Sequence, residues 1–320
     1  MMQDERPIDT PEASVKRRED RRAFITAAVG AVAIGAGAFV FADPVAAQTV
    51  TDVDVLNYLL NIEYLQANFY GWAVNGAGLA SADTSGPTGT TPGAVSGGSK
   101  VTFTDPIVAA YAAEIANAQL LHVRFLRTSL SATSAVAQPA IDLGNSATSA
   151  FSVLAQSAGI VAPGAAFDPF ASDTNFLLAA FMIKDVSVTA YNAAVSLIAS
   201  KTYLESVAGL LATESYHAAI IRTTLYSKGI ANPGLITAAQ GISDARDALD
   251  GGSDDDQGIT PANSNAGTVA NIAPVDGNGL VFSRATGQAL NVFYLNRTAV
   301  KTGGFFPAGF NGNITTSAAS

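Results

Sequence analysis

Two segments of this 320-residue chain repeat one another around its only two histidines, and this duplication constrains the fold more than any other feature. In each, the histidine (His122, His217) is followed five residues later by an arginine (Arg127, Arg222) and eight residues later by a leucine (Leu130, Leu225). Each also has a long polar residue three positions earlier, Gln119 or Glu214. A repeat of this kind implies two similar helix pairs packed about a pseudo-twofold axis, with both histidines meeting inside one bundle.

The N-terminus stands outside that repeat. Lys16-Arg17-Arg18 and the pair Arg21-Arg22 precede Phe24, and an apolar, small-residue run follows from Thr26 to Ala42, ending at Val45-Ala46-Ala47. A charged region, an apolar region and a small-residue cleavage site in that order describe a secretory signal over residues 1–47, and the paired arginines resemble a twin-arginine signal. The expectation is cleavage after Ala47 and a periplasmic or extracellular protein, exported already folded. No later apolar stretch is long enough to span a membrane.

The composition narrows the chemistry. Removing the six basic and seven acidic residues of 1–47 from totals of 17 and 26 leaves 11 against 19, about −8 for the exported chain, which argues against a nucleic-acid partner. There are no cysteines, so a metal would be held by oxygen and nitrogen ligands. No nucleophile elbow, phosphate loop or nucleotide fingerprint is present. Asp254 to Asp256 and Asp276 lack the alternating oxygen spacing of a calcium loop.

Helix signals then organise the chain. Thr51 with Asp54 reads as an N-terminal cap for a two-faced helix that Asn75-Gly76 stops. Residues 76–104 form a Gly/Ser/Thr-rich insertion in which Ala94 to Phe103 predicts a hairpin across Gly97-Gly98. Asp105-Pro106 opens a second helix to about Leu130. A short helical piece near 146–158 precedes a third helix from Ser172 or Asp173 to about Ala199. Thr202 with Glu205 predicts the cap of a fourth, ending at Lys228-Gly229, and Asn232-Pro233 starts a fifth to about Leu249. The fold class expected is all-α: a four-helix bundle with a crossover connection over 48–250, an extra fifth helix, and a largely irregular appendage over 251–320. That appendage is aromatic enough to dock on the bundle or on a neighbour, which makes it the expected surface for a homo-oligomer.

Polar residues interrupt the apolar stripes at particular places. Glu63 shares the stripe of Leu56 and Tyr70; His122 shares a face with Ile115 and Phe125, with Gln119 one turn before it; Glu214 and His217 interrupt Val207, Leu210, Ile221 and Leu225. A Glu on one helix and a Glu-x-x-His on the next, repeated in a second pair, is the ligand arrangement of dinuclear carboxylate proteins. On these residues, together with Asn57 to Tyr70, Lys184 to Tyr191 and the Gly303 to Gly312 tail, the chain resembles the ferritin-like superfamily, and within it the exported branch of desiccation- and stress-related proteins. The resemblance implies a ferritin-like bundle with iron or manganese ligands at Glu63, His122, Glu214 and His217.

Two positions depart from that pattern. Gln119 stands where a carboxylate is expected, and the residue seven before Tyr191, matching Glu63 seven before Tyr70, is Lys184. Asp185 is the alternative carboxylate, but it lies about 100° round the helix. A dinuclear divalent site balances its charge with several carboxylates, whereas this core offers Glu63 and Glu214 and adds an ammonium. The preferred reading is therefore a metal-free bundle in which Lys184 bridges Glu63 and Glu214. The function expected with it is that of a structural or stress-related envelope protein with an eroded dinuclear site. The alternatives are a single iron or manganese ion held by some of Glu63, His122, Glu214 and His217, and a working dinuclear oxidase or ferroxidase. Tyr70 and Tyr191 are read as core, and Arg127 and Arg222 as partners of helix-end carbonyls or acidic neighbours.

Overall fold

The computed structural model describes residues 50–252, 256–264 and 267–320. The leader expected over residues 1–47 lies outside them, as do Asp254 and Asp255. The described chain is helical apart from two small two-stranded sheets. Four long helices dominate: α1 (Asp52–Asn75), α3 (Pro106–Leu130), α5 (Asp173–Val195) and α6 (Lys201–Ala231), with a short α2 (Ser81–Thr84) and a short α4 (Ala150–Ser157) in the connections. Helices α7 (Gly234–Asp250) and α8 (Thr286–Tyr294) follow. α1 packs closely along α3, and α5 along α6, so the duplicated sequence becomes two helix pairs joined by the long 131–172 crossover. Residues 51–274 and 281–320 form one compact unit. Val275–Leu280 belongs to a separate one and is a turn in which Asp276 N–H donates to the Leu280 carbonyl. No helix among the described residues is long and apolar enough to cross a membrane.

The helix ends follow local chemistry. Thr51 and Asp54 close a reciprocal capping box at the start of α1, and Gly76 ends it in the left-handed conformation at φ 71°. Asp105 accepts from the Ile107 and Val108 amides ahead of α3, with Pro106 in the first turn where no amide is needed. α5 starts under Ser172, whose hydroxyl accepts from Asn175 N–H. α6 begins one residue after Ser200, which accepts from Tyr203 N–H; the expected Thr202–Glu205 box therefore lies inside the helix, because Ser200 supplies the cap earlier. Gly229 does not end α6, which runs on to Ala231; the glycine instead lets Ile236 of α7 approach, at 2.5 Å from where a Cβ would be.

The predicted hairpin across Gly97-Gly98 does not form. β1 (Val95–Gly97) pairs in parallel with β2 (Ile141–Leu143) from the crossover. The two glycines serve close packing: Gly98, at φ 96°, lies against the Trp72 ring, 2.6 Å from where a Cβ would sit, and Val101 N–H then bonds the Ala73 carbonyl. The insertion is thus laid along α1 and not folded on itself. Arg124 of α3 clamps its Asp83 with two bonds of 2.9 Å.

α1 is buried almost all round, although its pattern reads as two-faced, and α5 is likewise buried on every side. Their outer faces are covered by segments distant in sequence. Over α1 the cover is held by asparagines as well as by apolar contacts such as that of Tyr58 with Phe310. Asn57 donates to the Ser134 carbonyl and accepts from Val136 N–H; one turn on, Asn61 donates to the Asn311 carbonyl at 2.8 Å and accepts from Asn311 N–H at 2.9 Å. Each amide gives an irregular chain the donor and acceptor that a strand would otherwise supply, so the backbone can be buried. Phe305, Phe306 and Phe310 of the appendage are buried beside Phe293 and Tyr294 of α8.

The face of α5 and α6 turned from the bundle centre is closed by charge. Arg222 (α6), Arg246 (α7) and Arg284, all fully buried, meet Asp185, Asp250 and Asp256. Replacing Asn61 by Leu removes both bonds to Asn311 and leaves that peptide's N–H and carbonyl without those partners. Such a change costs about 1–3 kcal/mol per group. Asn61→Leu is therefore expected to lower denaturation midpoints and to expose the 303–312 segment to limited proteolysis at temperatures where the parent protein resists.

Candidate metal centre

Each long helix contributes to one polar cluster in an otherwise apolar interior. α1 carries Glu63 and Gln66, α3 Gln119 and His122, α5 Lys184 and Tyr191, and α6 Glu214 and His217. The three-residue and seven-residue spacings keep each pair on one face of its helix. Glu63, Gln66, Gln119, Lys184 and Glu214 are fully buried. The histidine side chains retain 8% and 4% exposure, so the cluster comes nearest to solvent between α3 and α6.

Glu214 is the hub. Its Oε2 accepts from Lys184 Nζ at 2.7 Å and from Gln66 Nε2 at 3.1 Å, and its Oε1 accepts from Gln119 Nε2 at 2.5 Å. Lys184 Nζ also donates to Gln66 Oε1 at 2.5 Å and sits 5.5 Å above the Tyr70 ring. Glu63 is held differently: its Oε1 accepts the Tyr191 hydroxyl at 2.5 Å, and its Oε2 has no hydrogen-bond partner among the described residues. His122 Nδ1 lies 3.4 Å from Glu63 Oε2 and 3.4 Å from Glu214 Oε1, within ion-pair range but without a closed hydrogen bond. His217 Nδ1 stands 3.5 Å from Gln119 Nε2 and 3.7 Å from Glu214 Oε1.

Two features of the sequence reading change. Lys184 does not bridge the two glutamates: it pairs with Glu214 and Gln66, and His122 is the cation that lies between Glu63 and Glu214. Gln66 went unnoticed in the sequence, although it stands three residues after Glu63, the spacing that also separates Gln119 from His122. Asp185 is not brought to the cluster; its Oδ2 accepts from Arg222 at 2.6 Å and from Arg246 at 3.2 Å on the other side of α5. The difference follows from the 100° step between adjacent helical residues. Arg127 donates to the Tyr64 hydroxyl at 2.6 Å and to the Ser85 carbonyl, away from the cluster.

Electrostatics divide the two histidines. Burial alone would depress His122, but the carboxylates of Glu63 and Glu214 outweigh it and raise its pKa to about 10. His217 moves the other way, because burial and the Lys184 ammonium outweigh its single weak carboxylate contact. Glu214, despite burial, is held well below the usual carboxylate range by Lys184 and the histidines. The raised His122 pKa thus places an imidazolium between Glu63 and Glu214, on the side of Glu214 away from its Lys184 bond.

A ferritin-like domain is recognised over residues 51–227, and the chain belongs to the ferritin-like family. It is 31% identical over 249 residues to the desiccation-related protein PCC13-62 of Craterostigma plantagineum, spanning 75% of this chain and 76% of that one. It is 26% identical over 271 residues to the ferritin-like catalase Nec2 of Nesocodon mauritianus, spanning 82% and 84%. No solved structure matches the chain.

The donor atoms decide how much of a ferritin-like metal centre these residues suit. One oxygen each of Glu63 and Glu214 and one nitrogen of His122 lie within 4.8 Å of one another, which suits a single divalent ion. The bare Glu63 Oε2, His122 Nδ1 and Gln119 Oε1 mark the part of the cluster least satisfied by protein alone. Gln119 and Lys184 stand where a dinuclear pattern would place further carboxylates, and the Lys184 amine is bonded to Glu214.

The raised His122 pKa links stability to pH. A folded-state value of about 10 above the ordinary 6.5 means that the stabilisation is fully present below about pH 6.5 and is lost as pH rises through 10. The melting temperature is therefore expected to fall between pH 7 and 10, and His122→Gln to flatten that slope. An unchanged slope in the variant would show that His122 is neutral in the folded protein.

Proposed function

We propose that this chain is an exported ferritin-like protein whose dinuclear centre has been reduced, and that it acts as a structural, stress- or desiccation-related protein of the cell envelope. The observation that carries this reading is the Lys184–Glu214 pair, in which a fixed ammonium takes up a carboxylate that a second metal ion would require. A buried cation beside a metal position raises the energy of any further positive charge there. Lys184 beside Glu214, and His122 between Glu214 and Glu63, put nitrogen groups of the chain where metal ions would otherwise lie against the two glutamates. The similarity to a desiccation-related protein supports the physiological half of the reading, and the Arg21-Arg22 leader supports export to the periplasm or beyond.

A second reading rests on the unpartnered atoms of Glu63 and His122 and on the similarity to a ferritin-like catalase. Here one iron or manganese ion is held by Glu63, His122 and Glu214, with His217 at the edge. Such an ion supplies redox chemistry toward dioxygen or peroxide. The chain's own part is defined by its contacts. Tyr191 fixes Glu63, Lys184 and Gln66 fix Glu214, and the apolar bundle excludes bulk water. His122 must lose its Nδ1 proton for that nitrogen to become a ligand, so uptake is expected to be weaker at low pH.

Two outcomes test the proposal. Arg21→Lys combined with Arg22→Lys is expected to leave the protein uncleaved in the cytoplasm; normal export of that variant would remove the twin-arginine assignment. A strain lacking the protein is expected to lose viability on drying at least several-fold, with recovery by the parent chain and equally by His217→Gln. Recovery by the parent alone, together with peroxide consumption by the purified metal-loaded protein, would make the second reading the working one.

A further inference from the structure

Lys184 of α5, Gln66 of α1 and Glu214 of α6 form a closed triangle in the bundle core, and their chemistry is that of an amine, an amide and a base. Lys184 Nζ lies 2.5 Å from Gln66 Oε1 and 2.7 Å from Glu214 Oε2, and the same Oε2 accepts from Gln66 Nε2 at 3.1 Å. All three side chains are fully buried, and the Tyr70 ring, with its centre 5.5 Å from Nζ, covers the amine. Gln119 Nε2 holds the other Glu214 oxygen at 2.5 Å, which turns Oε2 toward the pair. A carbonyl bond is about 1.23 Å long, so Nζ lies within about 3.7 Å of Gln66 Cδ. Reacting atoms in a near-attack arrangement are about 3–3.5 Å apart.

We propose that Lys184 and Gln66 become joined in the folded protein by an isopeptide bond, with Glu214 as the proton carrier. Nζ begins as an ammonium and passes one proton to Glu214 Oε2, which frees its lone pair to attack Cδ. Glu214 hands that proton on to Nε2 and takes a second Nζ proton in exchange. The Nζ–Cδ bond is then complete, the Cδ–Nε2 bond breaks, and ammonia leaves with the proton held by Glu214, as ammonium. Nothing is oxidised or reduced, and Glu214 returns to a carboxylate. One oxygen serves both nitrogens because Oε2 already accepts from each of them.

Burial favours the step. Desolvation penalises the charged Lys184–Glu214 pair relative to the neutral one, and a bond made once in the life of the chain draws on only a small neutral fraction. Gln66 is the group attacked, because an ionised carboxylate resists a nucleophile and an amide carbonyl does not. The product ties α1 to α5 across 118 positions of sequence, in a chain with no cysteine to form a disulfide. Cross-links that close long loops constrain the unfolded chain most. Position 184 supplies no carboxylate in either form, so the inference rests on neither functional reading.

The test is tryptic peptide mapping, by mass spectrometry, of the purified protein after denaturation. The expected result is a peptide containing Gln66 joined to one containing Lys184, uncut after Lys184 and lighter than the two together by one ammonia. Fragmentation has to place the link between those two side chains, since Gln48, once made N-terminal by leader cleavage, also loses ammonia on cyclising. Lys184→Arg keeps the charge without a nucleophilic amine and is expected to abolish the link. Glu214→Gln is expected to cut the linked fraction by about tenfold or more. These buried changes bear on folding, so the parent protein decides. Separate Gln66 and Lys184 peptides from the parent, a link from Lys184 to Glu214 with loss of water, or full linkage in a folded Glu214→Gln protein would overturn the proposal.

Discussion

Two carboxylates sit at the centre of this bundle with no exposure to water, and the arrangement around them follows from the need to neutralise them. An isolated ionised carboxylate in an apolar interior costs far more than a domain's net stability, so each needs a cation, strong hydrogen bonds, or protonation. Glu214 has Lys184, Gln66 and Gln119 bonded to it; Glu63 has the Tyr191 hydroxyl and the nearby His122 ring. In the family pattern metal ions supply that positive charge. In this chain Lys184 and His122 lie beside the two carboxylates, and His122 is the nitrogen donor that a metal held there would use.

α5 links this cluster to the rest of the molecule through two adjacent residues. Lys184 points into the bundle and Asp185 away from it, a separation set by the helical step. Lys184 joins α5 to α6 through Glu214; Asp185 joins α5 to α6 and α7 through Arg222 and Arg246, and Arg284 extends that outer layer to Asp250 and Asp256. Removing one member of a buried pair costs more than the pair contributes, since the partner is left charged and dry. The appendage is therefore held by matched charge over α5 and α6, and by asparagine side chains over α1. It buries Phe305, Phe306 and Phe310 against its own chain.

Much of this was legible in the sequence where periodicity speaks. The duplicated histidine segments, the caps at Thr51 and Asp105 and the inward stripe positions of Glu63, His122, Glu214 and Lys184 all follow from residue type and helical spacing. What could not be read depends on chain segments far apart. The pairing of β1 with β2 joins residues more than forty apart, and Gly97-Gly98 reads locally as a turn because nothing nearby reveals that Trp72 lies against it. α1 reads as two-faced because Asn57 and Asn61 are polar, yet those amides are buried against loops that arrive from residues 134–136 and 311. Gln66 is not legible, because an isolated glutamine in an apolar helix carries no signal until its partner, Lys184, is known. The helical step puts Asp185 on the flank of α5, whereas its partners, Arg222 and Arg246, depend on the fold.

The claim at the centre of this account is that Lys184 limits the cluster to at most one metal ion. Elemental analysis of the exported protein, purified without chelators and then incubated anaerobically with Fe²⁺, tests it most directly, with Lys184→Glu measured alongside. No more than one ion per chain in the parent, with additional metal in Lys184→Glu, is the expected result. Two ions per chain in the parent would contradict it and would restore a dinuclear centre as the basis of its chemistry.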